Sequence, residues 1–378
     1  MKVRQHLWTP AAAWTGGPPV ATGSRDQLVL AFGSPGTLRQ QGLFDQVRAW
    51  HPDALIVGCS TAGEILGTRV HDDSLVATAV QFERSTIDWV VVPVAKDTDG
   101  REAAEQIALA LVRPGLRHVM AFCDGLVVNG TSFAKALRER LPEGICATGG
   151  LAADADRFME TLVMCNGIGQ SRQVVGIGFY GDDLRVGYGS VGGWDSFGPL
   201  RTVTRSRGNV LFELDGKSAL ALYKIYLGEH SAGLPATGLR FPLLLEDGRG
   251  GAGLVRTVLG IDEAAGSMTF GGDIPEGAKV RLMKANFDRL VDGASGAASE
   301  GLQRLGRGDA QLAVLISCVG RKLVLRQRIE EEVEGVREVL GNTALAGFYS
   351  YGELCPQGTL SGCELHNQTM TITTFSET

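Results

Sequence analysis

A strand, helix, strand pattern followed by further apolar runs occurs three times along the chain. Recurrence on that scale means that each copy is one supersecondary unit, stable only when its apolar face is covered by its neighbours. In the first copy Leu28 to Phe32 is an apolar run stopped by Gly33-Ser34-Pro35-Gly36, Leu38 to Trp50 is amphipathic with Leu43, Val47 and Trp50 on one face, and Ala54 to Cys59 returns as a strand. Ser74 to Phe82 and Ile87 to Val94 follow across a hairpin-sized gap. A helix over Arg101 to Val112 closes the unit at Pro114-Gly115. The second copy runs through His118 to Cys123, a helix over Thr131 to Arg140, Ile145 to Thr148, and Phe158 to Cys165 paired with Val174 to Tyr180. The third has Leu312 to Cys318, a helix over Gln327 to Leu340, Ala344 to Tyr349, and a closing hairpin of Thr359 to Leu365 with Thr369 to Phe375.

The corners after the second strands, Gly58 to Glu64, Thr148 to Asp154 and Gly347 to Glu353, align without gaps, and each ends in a carboxylate. Glycine supplies 52 of the 378 residues, about twice the usual ~7%, with no triplet period, so it marks tight turns and close backbone approaches. Hairpins mixed with crossover helices predict an α/β chain of the mixed α+β kind, two lobes with mixed sheets covered by helices. The expected division is an N-terminal arm over 1–24, one domain over 25–216 and a second over 217–378. Gly193 to Gly208 reads as a loop-rich strip, Asn209 to Leu214 as a strand, Ser218 to Leu227 as a helix and Glu229 to Gly253 as an irregular connection.

The net charge is −6 with both signs interspersed, which excludes a phosphate-backbone footprint and hence a nucleic-acid partner. Seven cysteines, an odd number in strand-like apolar runs, fit buried reduced thiols and a cytoplasmic location. The start has no apolar stretch of signal-peptide length, and no run of 18 apolar residues occurs, so no membrane insertion is expected.

Three segments carry a likeness. Gly193-Trp194-Asp195-Ser196-Phe197-Gly198-Pro199, the run Gly208 to Gly216 followed by Ala219 to Tyr223, and the ending Gly362-Cys363-Glu364-Leu365-His366-Asn367-Gln368-Thr369 resemble the FIST family, whose members carry a FIST N and a FIST C domain in tandem. The resemblance spans residues 25 to 376. It implies a sensory input protein that binds a small molecule, amino acids among them, and feeds a histidine kinase, a chemotaxis receptor or a cyclic-di-GMP enzyme. Some members are haem-binding nitric oxide sensors. The chain shows no attached output domain, so the expected route is a separate signalling partner.

Chemistry is densest at Tyr349, Tyr351, Glu353, Cys355, Cys363, Glu364 and His366. Strand alternation puts Glu364 and His366 on one face and Cys363 and Leu365 on the other. A pocket mouth and a hydrogen-bonded structural histidine are both open readings. Zinc on Cys355, Cys363 and His366 lacks a second ligand pair, so no metal is expected. A haem needs one axial ligand; His366 is the first candidate, with His230 and His71 behind it. Gly33 to Thr37 and Gly125 to Ser132 place backbone N–H groups at helix starts. They suit a carboxylate; tight turns capped by Thr131 or Ser132 are the alternative. Glu64, Asp154 and Glu353 would pair with an ammonium, with Asn129 or Arg138 addressing the other end of the ligand, or would cap a turn. Trp194, Phe197 and Arg201 form either a lid over an interlobe cleft or an anchored loop. No nucleophile elbow is present, and the chain is expected not to be an enzyme. A hydrolase or transferase using Cys363 and His366 is the alternative.

Overall fold

The computed structural model describes residues 1–15, 27–95, 98–246, 253–306, 308–358 and 362–377. Residues 16–24 of the expected arm, 247–252 of the expected connection and 359–361 of the expected closing hairpin lie outside the described residues. The chain is mixed α+β, with several mixed sheets and helices laid against them.

Each unit is built on a parallel pair: Leu28–Gly33 with Leu55–Ser60, Leu116–Cys123 with Cys146–Leu151, and Leu312–Cys318 with Ala344–Ser350. Parallel neighbours need a crossover. It is supplied by Pro35–Leu38 and Gln41–Trp50 in unit one, Gly130–Arg140 in unit two, and Val319–Leu325 with Ile329–Leu340 in unit three. On the far side of each first strand lies an antiparallel one: Leu75–Gln81, Gln173–Tyr180 and Met370–Glu377.

Among the described residues none of the three expected strand pairs forms, because the two runs of each go to different sheets. Thr86–Pro93 leaves unit one and pairs with Gln173–Tyr180 of unit two. Val163–Cys165 leaves unit two and pairs with Leu55–Ser60 of unit one. Glu364–His366 of unit three pairs with Gly352–Cys355 in the sheet of unit two, while Glu64–Leu66 of unit one joins the sheet of unit three. Each unit thus lends a strand to another in a cycle. Backbone hydrogen bonds close that ring: Ala62 N–H to the Tyr349 carbonyl at 2.8 Å, Ala153 N–H to Ser60 at 2.8 Å, and Tyr351 N–H to Leu151 at 3.2 Å.

This ring fixes the register, and it moves the second corner by one residue from the gap-free alignment. Gly58, Gly149 and Gly347 are the equivalent positions, opposite Ala31, Ala121 and Leu315. A Cβ on any of the three would land on the carbonyl oxygen of that partner, so the glycines permit the close approach of the parallel pairs. Asp154 therefore does not share the position of Glu64 and Glu353. Those two are alike: Glu64 accepts from Thr61 and from Ser74 N–H and Oγ, and Glu353 from Ser350 and from Thr369 N–H and Oγ1.

The three sheets face a common core where Phe32, Phe122 and Phe348, one from each unit, meet with ring centroids 4.7 to 6.0 Å apart. Helices cover the outer faces, for example Leu43 and Val47 over unit one and Ile107, Phe133 and Leu137 over unit two. The outer helix of unit three, Phe287–Leu305, has no clear apolar stripe in the sequence because its buried face is Gly293, Ala294, Ala297, Ala298 and Gly301 between Leu290 and Leu305. Between Leu184–Val191 and that helix a separate lobe is inserted, with the helix Ala219–Leu227 packed on an eight-stranded sheet around Leu211, Tyr223, Met268 and Phe270. The strip expected as loop over 193–208 is mostly strand Asp195–Arg207, bent by an irregularity between Phe197 and Arg201, where Gly198-Pro199 falls. Among the described residues no helix is long and apolar enough to cross a membrane.

Burial gives the core a pH signature. Desolvation raises Glu64 to about 7 and Glu353 to about 8, and lowers His118 to about 3 and His366 to about 4. The folded chain holds two carboxyl protons that the unfolded chain releases near pH 4.5, which costs stability as pH rises towards 8. It refuses two imidazolium protons that the unfolded chain binds below pH 6.5, which costs stability as pH falls towards 3. Between pH 4.5 and 6.5 the two effects offset. Stability should therefore be nearly flat there and fall by about 1–2 kcal/mol from pH 6.5 to 7.5, below the range in which the thiols of the unfolded chain ionise. Urea melts across that range check it. The double variant Glu64→Gln/Glu353→Gln should lose the fall between pH 6.5 and 7.5, and a fall that survives there refutes the assignment.

A candidate ligand cleft between the three-unit body and the inserted lobe

A cavity of about 1200 Å³ separates the body from the inserted lobe. Its body side is made by the corners after the first strands of units two and three, residues 125–130 and 318–326; its other side comes from residues 233–241 and 257–272 of the lobe. The corresponding corner of unit one takes no part. There Gly169 N–H reaches the Leu38 carbonyl at 3.0 Å, and Ser34 caps its short helix against Thr37.

At the unit-two corner the helix is capped by Asn129, whose side-chain oxygen accepts from Thr131 N–H and Ser132 N–H at 3.0 Å each. Two of the backbone N–H groups expected to hold a carboxylate, those of Thr131 and Ser132, are committed to that cap. Asn129 Nδ2 also donates to Asp273 at 3.2 Å, and Asp273 N–H donates to Thr131 Oγ1 at 3.2 Å. These bonds stitch the corner to the lobe. At the unit-three corner Lys322 lines the cleft, with Nζ donating to the Ala62 carbonyl at 2.7 Å and pairing with Asp72.

One wall is a stacked pair, Phe158 on Tyr351, with ring centroids 4.5 Å apart and planes 11° from parallel. Asp154 builds it. Its carboxylate is buried and accepts from the backbone N–H groups of Phe158, Met159 and Glu160 at 2.9 Å each and from the Tyr351 hydroxyl. Burial and that bond raise the Tyr351 hydroxyl pKa well above the phenol range. Two of the sequence candidates, Asn129 and Tyr351, thus line the cleft, and so does His230, whose ring lies 5.5 Å from that of Phe241.

The others lie elsewhere. Tyr349 is buried under the helices of unit three and donates to Glu332 Oε1 at 2.7 Å. Glu353 is enclosed by Ser350 and Thr369. Glu364 pairs with Arg138. Trp194 is buried, with its indole N–H on the Gln368 carbonyl at 2.7 Å; Phe197 packs on the core of the inserted lobe, and Arg201 is bonded to Asp215 and Tyr226. His366 is buried with Nε2 3.0 Å from the Cys355 carbonyl, so that nitrogen donates, and the ring does not line the cleft. His71 lies on the edge strand Arg69–His71. Haem ligation finds no support in this geometry. Cys363 is buried and pushed up to about 12 by desolvation, and no cluster of metal-binding side chains occurs among the described residues.

Cleft residues without a sequence signal of their own include Phe158, Arg240, Thr257, Lys322 and Arg326. Repeat equivalence would have pointed to 318–326, since it follows the first strand of unit three as 125–130 follows that of unit two. Thr257 is 4% exposed and its hydroxyl has no partner. The carboxamide of Asn367, against Gly271 in the same wall, has no partner at either end.

Fold and cleft together define the class: a mixed α+β protein of three cyclically interlocked units that carries an inserted lobe, with a cavity of ligand size between them. The chain belongs to the FIST family, with a FIST N domain over residues 27–217 and a FIST C domain over residues 219–356. These domains are associated with signal transduction and small-molecule sensing. No curated protein matches the chain. Among solved structures, a cyanuric acid hydrolase from A. caulinodans aligns over 78% of this chain and 99% of its own at 12% identity, with a TM-score of 0.19, too low to bear on fold or function.

Proposed function

We propose that this chain is a sensory input protein that binds a small molecule in the interlobe cleft and signals to a separate partner, a histidine kinase or a cyclic-di-GMP enzyme. The observation that carries the reading is that one ligand-sized cavity is lined by both the body and the inserted lobe. A ligand there touches both, and if its affinity differs between two lobe packings it shifts their balance. The contacts set to change are those that already bridge the gap, Asn129 to Asp273 and Thr131 to Asp273. The unpartnered Thr257 hydroxyl also favours a bound polar group, since a buried hydroxyl left alone costs about 1–3 kcal/mol. An amino acid is the ligand that the family resemblance implies. The role is binding, not turnover. Cys318 at the cleft is pushed up to about 12 by burial, and the Tyr351 hydroxyl is committed to Asp154. Seven free thiols, mostly buried, suit the cytoplasm.

Thermal-shift screening against amino acids, nucleotides and other small metabolites tests this. A ligand at a hundred times its Kd stabilises the native state by about 2.7 kcal/mol. At least one compound should raise the Tm, and Leu126→Trp, which puts an indole on the cleft wall, should change the shift. A screen in which nothing raises the Tm, or in which the variant responds like the parent, overturns the reading.

A further inference from the structure

The side chains around the cleft carry an unbalanced charge. Arg240, Lys322 and Arg326 line it, against one carboxylate, Asp156. Lys322 is committed to Asp72 and the Ala62 carbonyl. The guanidinium groups of Arg240 and Arg326 make no hydrogen bond or ion pair with any described residue. They also stand close. Leu239, beside Arg240, packs with Val324 and Leu325, and Arg326 is the next residue. Both side chains therefore start from one edge of the cleft.

Arg326 is held there in an unfavourable backbone state. Its φ is +52° and ψ −114°, at the end of the helix Val319–Leu325, where glycine is the usual residue and a β-carbon is strained. Strained non-glycine positions gather at functional sites, and here the strained residue is an unpaired cation on a cavity. Much of the remaining wall is apolar, including Leu126, Phe158, Val258, Leu259 and Leu323.

We propose that the cleft takes an anion with an apolar body, a carboxylate or a phosphate monoester, with its oxyanion on Arg240 and Arg326. This rests on the reading of the cleft as the ligand site and narrows the ligand. A guanidinium fork matches a carboxylate or phosphate in two parallel hydrogen bonds, while the apolar body lies along the Phe158 and Val258 walls. An ammonium group finds only Asp156 among the cations, so amines are disfavoured. An amino acid then enters best with its amino group masked.

Isothermal titration of the full chain with phenylacetate, phenyl phosphate, phenylacetamide and phenethylamine tests the proposal at low ionic strength. One anion or both should bind about tenfold or more tighter than the amide and the amine, and the preferred anion separates carboxylate from phosphate. Arg240→Met and Arg326→Gly should each weaken that binding about tenfold. Arg326→Gly should melt no lower than the parent, because glycine accepts the backbone conformation without strain. Equal binding of the amide, anion affinity unchanged in both arginine variants, or no anion binding overturns the proposal. Anion binding that is unchanged in both arginine variants but altered in Leu126→Trp keeps the cleft as the ligand site and removes the anion assignment. When none of the four probes binds, the anion assignment falls, and the metabolite screen decides the sensory reading separately.

Discussion

Replacing Arg321 by methionine is expected to cost about 3–5 kcal/mol of stability, because it leaves Glu332 charged and uncompensated in the core. Both side chains are fully buried. Arg321 Nε and Nη2 donate to Glu332 Oε2 at 3.0 and 2.8 Å, and the remaining donors reach the carbonyls of Gly192 at 2.5 Å and Leu290 at 2.6 Å. Glu332 Oε1 accepts from Tyr349 and Ser317. The network holds the helix that lines the cleft to the segment that leads into the inserted lobe, so the loss should also loosen the lobe. In the double variant Arg321→Met/Glu332→Gln at least half of the cost should return, since the amide still accepts from Tyr349 and carries no charge. Urea melts of the three proteins measure this. A single-variant cost under about 1 kcal/mol, the level of an exposed pair, refutes the reading.

Gly347→Ala should be comparably severe, at about 3 kcal/mol or more. Its new methyl would occupy the Leu315 carbonyl oxygen, and that oxygen belongs to the adjacent parallel strand at the centre of unit three, so neither partner can move aside. Gly36→Ala is the control. Nothing lies within 4 Å of that Cβ and the residue is helical, so it should be neutral or slightly stabilising. If the two variants melt together, close approach at the ring of glycines does not decide the fold.

Much of the element list was legible. Strands at 28–33, 55–60, 116–123, 312–318 and 344–350 fall where apolar runs end in glycine or polar residues, and helices fall where the 3.6 period shows, as in Arg101–Leu111. Phe287–Leu305 was not legible because glycine and alanine fill its buried face and erase the hydrophobic contrast. Lys2–Thr9 was missed because a strand on the edge region of a sheet, with one buried residue in eight, lacks a strong apolar run. Of the cleft, Asn129 and Tyr351 were legible from their places beside the glycine corners. Arg240 and Arg326 were not, since an unpaired arginine on a turn looks like any solvated cation until the opposite lobe is in place.

What the sequence determined by itself is the threefold repetition, the type and approximate place of most strands and helices, and the family. Those follow from periodicity and turn chemistry, which act over a few residues. Which strand pairs with which was decided only in three dimensions. Each expected hairpin satisfies the local rules, yet Leu75–Gln81 and Thr86–Pro93 part company. A strand edge accepts any partner that covers its apolar face, and exchange among three units buries all three faces in one core, which no isolated hairpin can do. The same exchange sets the corner register that places Asp154 under the cleft wall and Glu64 and Glu353 in the core.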